Sequence, residues 1–219
     1  VDKITNALPE AFTKLAADNW FAAAHAIMTT DTIAKARSVE LSLNGQPITL
    51  TGIAKGSGMI RPDMATLLSY IATDAAISAS TLQKMLDVSM EQSFNSITVD
   101  GDTSTNDACV LIATGLAGNS IIDDIDSSDA QQFIEALNSL SRFLAQAIVR
   151  DGEGATKFIS IDVQQGADAD ECRQVAYTIA HSPLVKTALF ASDPNWGRIL
   201  AAVGRSGLPS LDLSKIAIY

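Results

Sequence analysis

The chain has 219 residues, 15 Lys and Arg against 25 Asp and Glu, and a formal net charge of −10. An acidic chain without a basic patch is a poor binder of nucleic acid, and no run of about 18 apolar residues predicts a membrane span. Two Cys and two His leave little material for a disulfide framework or a histidine-rich metal site. We therefore expect a cytoplasmic protein without a metal centre.

Hydrophobic periodicity predicts a mixture of helices and strands. The first half is predicted to contain a helix over 8–28, strands over 35–43 and 47–54 joined by the hairpin turn Asn44-Gly45, a buried strand over 66–73, and a helix from Ser80 to about Phe94. The second half is predicted to contain strands over 97–100, 156–164 and 215–219, an apolar element over 108–114, a long helix from Ser128 or Asp129 to about Arg150, and helices over 168–181 and 196–203. Strands and helices do not alternate regularly, so the α+β class is favoured over a doubly wound sheet.

The segment from Lys55 to Thr66 contains two glycines, a lysine and a threonine. It fails as a phosphate-binding loop, because there the lysine follows the last glycine. One interpretation is a surface connection in which the glycines allow the chain to turn. The other is an autoprocessing site, because Thr66 follows the small residue Ala65 and opens a buried strand. Cleavage between them would give Thr66 a free α-amine, and an amine with an ordinary pKa of about 7.7–8.0 suits a base for its own Oγ.

Two further polar segments contain glycine and acidic residues. The stretch 100–107 lacks the spacing of an EF-hand loop, and it is predicted to form Asx and ST turns that stiffen a loop beside a site. Glu153 lies between two glycines, which cannot cover it, so its carboxylate is exposed or faces a cleft. It could bind a substrate ammonium or be merely solvated.

The Lys55–Thr66 segment, continued through Thr73-Asp74-Ala75, resembles the processing site of the ornithine acetyltransferases, or glutamate N-acetyltransferases, of arginine biosynthesis. Segments 26–32, 99–107, 150–158 and 192–198 resemble the same family, in its order along nearly the whole chain. The resemblance implies a layered α+β sandwich with an N-terminal-nucleophile-like site, a fold that DmpA-type aminopeptidases share.

The same resemblance implies that the chain cleaves itself between Ala65 and Thr66. Thr66 would then take acetyl from N2-acetylornithine and pass it to glutamate, in a ping-pong reaction through an acetyl-threonine ester. Thr29, Lys55, Thr66 and Glu153 fall at the family's substrate-binding positions. We expect Lys55 to pair with a substrate carboxylate and Glu153 with the ornithine side-chain ammonium. No cofactor is implied, although acetyl-CoA could also serve as the acetyl donor.

Residues 1–219 are expected to be one catalytic region of a longer chain. Self-cleavage would make 1–65 the end of an α subunit and 66–219 the start of a β subunit, in a heterotetramer. The expectation of a longer chain arises because the family's oxyanion-hole Thr-Gly pair precedes the position of Val1, and its last substrate-binding Asn and Thr follow Tyr219. Two alternatives remain open at this point: a related aminopeptidase or amidohydrolase with water as acceptor, and a processing-dead interaction module.

Overall fold

The computed structural model describes residues 1–61, 67–209 and 211–219. Its sheet has four strands in the order β1-β2-β3-β4, with β1 at Lys35–Leu43, β2 at Gln46–Lys55, β3 at Leu68–Thr73 and β4 at Ala108–Ala113. The pairs β1–β2 and β2–β3 are antiparallel, whereas β4 runs parallel to β3. The described helices are α1 (Asp2–Thr13), α2 (Trp20–Ala26), α3 (Ala79–Glu91), α4 (Ser128–Arg150), α5 (Ala169–Ala180), α6 (Pro183–Phe190) and α7 (Trp196–Gly204).

The β1–β2 hairpin forms where the sequence predicts it. Asn44 has φ 49° and Gly45 has φ 84°, which is the left-handed backbone that a two-residue type I′ turn requires. An asparagine and a glycine tolerate this conformation better than other residues. The turn fixes the register of the strands, which pairs Leu43 with Gln46 and Lys35 with Ala54.

The main core lies between the sheet and the long helix α4. Ser127 caps this helix by accepting a hydrogen bond from the backbone N–H of Ala130, so α4 begins at the predicted Ser128. Its apolar stripe includes the buried residues Leu137, Leu140, Leu144 and Ile148, whose spacing of three to four residues places them on one face. That face packs on β1 and β2. Helices layered on a mixed sheet confirm the predicted α+β sandwich class.

A second, smaller core joins α5, α6 and α7. Val175, Val185 and Val203 belong to its buried cluster, against which Ile161 and Val163 pack. Polar contacts connect this unit to the main core: the Tyr177 hydroxyl lies 2.9 Å from the carbonyl oxygen of Asn95. None of the described helices is long and apolar enough to cross a bilayer.

Several sequence predictions are wrong in detail. The helix over 8–28 is two helices, because α1 ends at Thr13 and the Asn19 side chain bonds the Lys14 carbonyl in the break. No element was predicted over 183–190, which forms the helix α6.

Residues 97–100, 156–164 and 215–219 do not form strands. Short 3-10 helices lie at 94–96, just before the first of these segments, and at 213–215, at the start of the last. Alternation of apolar and polar residues indicates which side of a segment is buried. In 156–164 the apolar residues Ile161 and Val163 do pack against the smaller core. A strand additionally needs a neighbour to bond. Within the described ranges, no backbone-to-backbone hydrogen bond involves 156–163, which therefore remains extended but unpaired.

Candidate active site

One edge of the sheet brings together residues that are distant in the sequence. The pairing places Lys55 at the end of β2 opposite Leu68 at the start of β3, and Leu68 opposite Ala108 at the start of β4. Neighbouring strands lie about 5 Å apart. The loops that leave β2 and enter β3 and β4 therefore meet at this edge.

A buried ion-pair cluster lies beneath this edge. The Lys35 ammonium is 2.7 Å from the Asp31 carboxylate and 2.6 Å from the Asp151 carboxylate, and all three side chains are at most 3% exposed. Burial by itself would raise the pKa of Asp31, but Lys35 and the backbone N–H groups of Gly56 and Thr29 lower it below its ordinary value. Burial would likewise raise the pKa of Asp151, but the hydrogen bonds from Lys35 and Thr32 lower it below its ordinary value. Both carboxylates are therefore held in their charged form.

The cluster fixes the position of three surface segments. The Asp31 carboxylate accepts hydrogen bonds from the backbone N–H of Gly56 at 2.7 Å and of Thr29 at 3.2 Å. The Ser57 hydroxyl donates to the Asp151 carbonyl at 2.6 Å. Thr29, the loop after Lys55 and the turn that carries Glu153 are thus attached to one buried group of charges.

The structure brings the predicted residues Thr29 and Lys55 into contact. The Lys55 ammonium donates a hydrogen bond to the Thr29 hydroxyl at 2.8 Å, and Lys55 is only half-buried. Its charge is therefore accessible to a ligand while the hydroxyl orients it.

Glu153 lies over the same loop. Its backbone N–H donates to the Ser57 carbonyl at 2.9 Å, and its carboxylate covers Gly58 so closely that an added Cβ would be 2.7 Å from its Cδ. A side chain at position 58 would therefore displace the Glu153 carboxylate. The exposed carboxylate and the Lys55 ammonium thus flank one loop. The predicted nucleophile Thr66 and its neighbour Ala65 lie outside the described residues.

The loop 100–107 supports the site, as predicted. The Asp100 carboxylate accepts hydrogen bonds from the N–H groups of Met59 at 2.6 Å and Ile60 at 3.0 Å. It also accepts from the N–H of Asp102 at 3.0 Å, which makes an Asx turn. The loop therefore holds the segment after Gly58 in place. No group of His, Cys, Asp and Glu in the described ranges is arranged to hold a metal ion.

Sequence reasoning missed Asp107, at the entry to β4. Both of its carboxylate oxygens are buried, and among the described residues neither has a hydrogen-bond partner of ordinary geometry. Burial raises the pKa of Asp107 to about 6, although the backbone of Leu67 and the charge of Lys55 act in the opposite direction. Asp107 is the final residue of the polar stretch 100–107, and no local pattern distinguishes it from the other acids there. The Lys35 cluster was also missed, because Asp151 is 116 residues from Lys35 in the sequence.

Comparison with known proteins identifies the family. The ArgJ family profile matches residues 1–219, the whole chain. The chain belongs to the ArgJ family. Among ArgJ family members, the arginine biosynthesis bifunctional protein ArgJ of Methylococcus capsulatus is 57% identical over 219 residues, and that of Pseudomonas syringae pv. tomato is 55% identical over 219 residues. Each match covers all of this chain but 53% and 54% of the relative, so the chain spans about half the length of these curated relatives.

A solved structure of the ArgJ family supports the fold. The crystal structure of ArgJ from Bacillus halodurans at 2.00 Å resolution is similar to this chain with a TM-score of 0.60 and 46% sequence identity. The match covers 63% of this chain and 64% of that chain. The shared fold agrees with the helix-covered sheet described above.

Proposed function

We propose that this chain is the catalytic region of an arginine-biosynthesis enzyme that moves acetyl from N2-acetylornithine to glutamate. Cleavage after Ala65 would free Thr66, whose Oγ would carry the acetyl group as an ester. One observation carries the proposal: an accessible ammonium, that of Lys55, and an accessible carboxylate, that of Glu153, flank the loop that leads to Ala65–Thr66. The names of the ArgJ relatives support the pathway.

The two charges match the two charged ends of acetylornithine. Lys55 would bind the substrate carboxylate, with Thr29 holding the ammonium in place through its 2.8 Å hydrogen bond. Glu153 would bind the side-chain ammonium of the ornithine part. Because the buried cluster anchors the segments that carry these groups, little ordering would be needed when the substrate binds.

The proposed reaction has two acyl-transfer steps. The Thr66 Oγ attacks the acetyl carbonyl carbon while the Thr66 α-amine takes the hydroxyl proton. The carbon–nitrogen bond then breaks, and ornithine leaves with that proton on its amine. In the second step the glutamate amine attacks the ester and the carbon–oxygen bond to Thr66 breaks. The proton that the glutamate amine loses passes through the Thr66 α-amine to the departing Oγ. No cofactor takes part, and acetyl-CoA as donor would form the same ester with a thiol as leaving group.

N-terminal sequencing of the protein made from its complete gene tests the cleavage. We expect two fragments, the second beginning at Thr66, that remain together in a heterotetramer on a native sizing column. Thr66→Ala should stay uncut, whereas Thr105→Ala, in the exposed part of the loop 100–107, should be cut normally. Cleavage of Thr66→Ala at the same bond would contradict the proposal.

Mass spectrometry after incubation with acetylornithine tests the chemistry. We expect acetyl on the Thr66 peptide, and we expect added glutamate to remove it and to suppress the release of free acetate. Acetate release that glutamate does not change would instead indicate the hydrolase alternative. A cleaved protein that never acquires acetyl would exclude the transferase.

Lys55→Met tests the binding role. Losing one charge-assisted hydrogen bond should raise KM for acetylornithine about 10–100-fold. Lys84→Met is the matched control, because Lys84 is exposed on α3. Equal KM values for the two variants would remove Lys55 from the substrate site.

A further inference from the structure

A cavity opens between the end of the loop 56–61 and the helices α5 and α7. Its volume is about 560 Å³, which is within the range of about 300–1,000 Å³ for small-molecule sites. Charged and polar side chains line it: Arg61, Asp170, Arg173, His181, Arg205 and Ser206. The proposed acetyl transfer uses none of these side chains, so it does not account for the cavity.

The cavity concentrates positive charge in a chain whose net charge is −10. Arg61, Arg173 and Arg205 are three of the seven arginines in the chain, and a guanidinium remains charged in proteins. Arg173 is paired with Glu91. Among the described residues, neither Arg61 nor Arg205 forms an ion pair, and Asp170 is the acid of the lining. The lining therefore keeps more positive than negative charge.

His181 shows that charges from separate segments act at one place. Burial lowers the pKa of His181 below its ordinary value, and the charges of Arg61 and Lys186 lower it further. Asp100 acts in the opposite direction, and Arg205 adds to the lowering. Because guanidinium groups from the loop and from the end of α7 both act on this ring, their charges converge on the same part of the cavity.

A buried hydroxyl group also belongs to the lining. Ser206 is only 6% exposed, and its hydroxyl has no hydrogen-bond partner among the described residues. Its carbonyl oxygen accepts a hydrogen bond from the Gln174 side chain at 2.6 Å, which holds the residue against α5. Buried polar groups are ordinarily bonded. An unbonded hydroxyl that lines a basic cavity therefore favours a ligand with acceptor oxygens.

We propose that this cavity binds a phosphate group, through the guanidinium groups of Arg61 and Arg205 and the hydroxyl of Ser206. A phosphate group offers three acceptor oxygens to donors from different segments, whereas one bidentate arginine can already use both oxygens of a carboxylate. The cavity has room for more than the phosphate, so the group can belong to the free anion or to an ester such as coenzyme A. The inference goes beyond the proposed function, and it does not depend on cleavage after Ala65.

Calorimetric titration with inorganic phosphate, on the protein made from its complete gene, tests the binding. We expect saturable binding with a Kd of about 1 mM or tighter, which weakens in high salt and is not displaced by acetate. Arg61→Gln and Arg205→Gln should each weaken binding at least about 10-fold, the effect of one charge-assisted hydrogen bond. Arg142→Gln is the matched control, because Arg142 is exposed on α4 and outside the described lining.

Ser206→Ala separates a ligand-binding role from a structural one. Because its hydroxyl bonds no described residue, the variant should have the same or a higher melting temperature without phosphate. Its phosphate binding should nevertheless be weaker, by about 10-fold. Phosphate should therefore raise the melting temperature of the wild type more than that of Ser206→Ala.

Coenzyme A distinguishes the two sources of the phosphate group. If it competes with inorganic phosphate and binds at least about 10-fold more tightly, the site takes an ester; otherwise it takes the free anion. The inference is overturned if neither compound binds at about 10 mM, or if acetate competes as well as phosphate. It is also overturned if Arg61→Gln and Arg205→Gln bind as tightly as Arg142→Gln.

The binding measurement is independent of the test of the proposed function, because it uses neither acetylornithine nor glutamate. A protein that binds phosphate but is not cut before Thr66 would overturn the proposed function alone. A protein that is cut and acetylated there, but binds neither phosphate nor coenzyme A, would overturn only the inference about the cavity.

Discussion

The sheet edge and the C-terminal helices are both attached to the core by polar contacts, but burial makes these contacts very different. At the edge, Lys35 joins Asp31 and Asp151 with side chains at most 3% exposed. At the C-terminal unit, Arg173 pairs with Glu91 while the two side chains are 34% and 48% exposed. The buried ion pairs should therefore fix the sheet edge firmly, whereas the partly exposed ion pair should hold the C-terminal unit only weakly.

The two sets of polar contacts also differ in the segments that they hold in place. The buried cluster receives hydrogen bonds from the segments that carry Thr29 and the loop after Lys55. The C-terminal helices instead have an apolar cluster of their own, and their polar contacts attach them to Glu91 at the end of α3 and to the loop around 95–99. Charge burial is therefore concentrated where the candidate site needs fixed geometry.

Lys35→Met should have the largest effect on stability. Removing the ammonium leaves two buried carboxylates facing each other without a cation, and breaking a buried pair costs about 3–5 kcal/mol. Urea unfolding of the variant measures this cost. Lys14→Met is the control, because the Lys14–Glu10 pair is exposed and its loss should cost less than about 1 kcal/mol. Equal losses in the two variants would remove the contrast between buried and surface pairs.

The next largest effect should appear on acidification. The pKa values of Asp31 and Asp151 are lowered in the folded protein, so their contribution is complete above the ordinary value of 3.8 and is lost as the pH falls through the folded-state values. Wild-type stability should therefore fall at the acid end of a urea series. In Lys35→Met, burial without a cation would raise both pKa values, so this variant should lose less stability on acidification. Parallel pH curves for the two proteins would contradict this account.

Tyr177→Phe should have a moderate effect, confined to the C-terminal unit. The hydroxyl lies 2.9 Å from the Asn95 carbonyl and 3.2 Å from the Ile97 carbonyl, and loss of a hydrogen bond of this kind costs about 1 kcal/mol. Amide hydrogen exchange should be faster in α5 and unchanged in β1 and β2. Faster exchange throughout the sheet would mean that the two regions do not differ as described.

Arg173→Gln should have the smallest effect. The pair with Glu91 is partly exposed, and such pairs contribute about 0.2–1 kcal/mol. The pKa of Glu91 is lowered first by the Asn95 side chain and, after an opposing effect of burial, by Arg173. The variant should therefore unfold within about 1 kcal/mol of the wild type, and the difference should shrink in high salt. A cost as large as that of Lys35→Met would overturn the comparison.

The sequence by itself determined the elements that local signals specify. The Asn44-Gly45 turn fixes β1 and its partner, because only a few residues accept the left-handed backbone that the turn needs. The long helix α4 follows from its apolar stripe and its polar start. The resemblance of the ordered motifs indicated the family, and it indicated Thr29, Lys55 and Glu153 as substrate-binding positions. The substrate-binding roles of these residues and the cleavage at Ala65–Thr66 remain predictions.

Only the tertiary structure decided which residues are buried together. Asp31 and Lys35 are near in the sequence, but Asp151 reaches them from 116 residues away at the end of α4. Asp107 resembles the other acids of its loop in sequence, but in the structure its carboxylate oxygens are buried at the entry to β4. The segment 156–164 alternates like a strand, yet no backbone-to-backbone hydrogen bond joins it to a described neighbour. In each case the deciding quantity is burial or pairing by a remote part of the chain, and local sequence does not encode it.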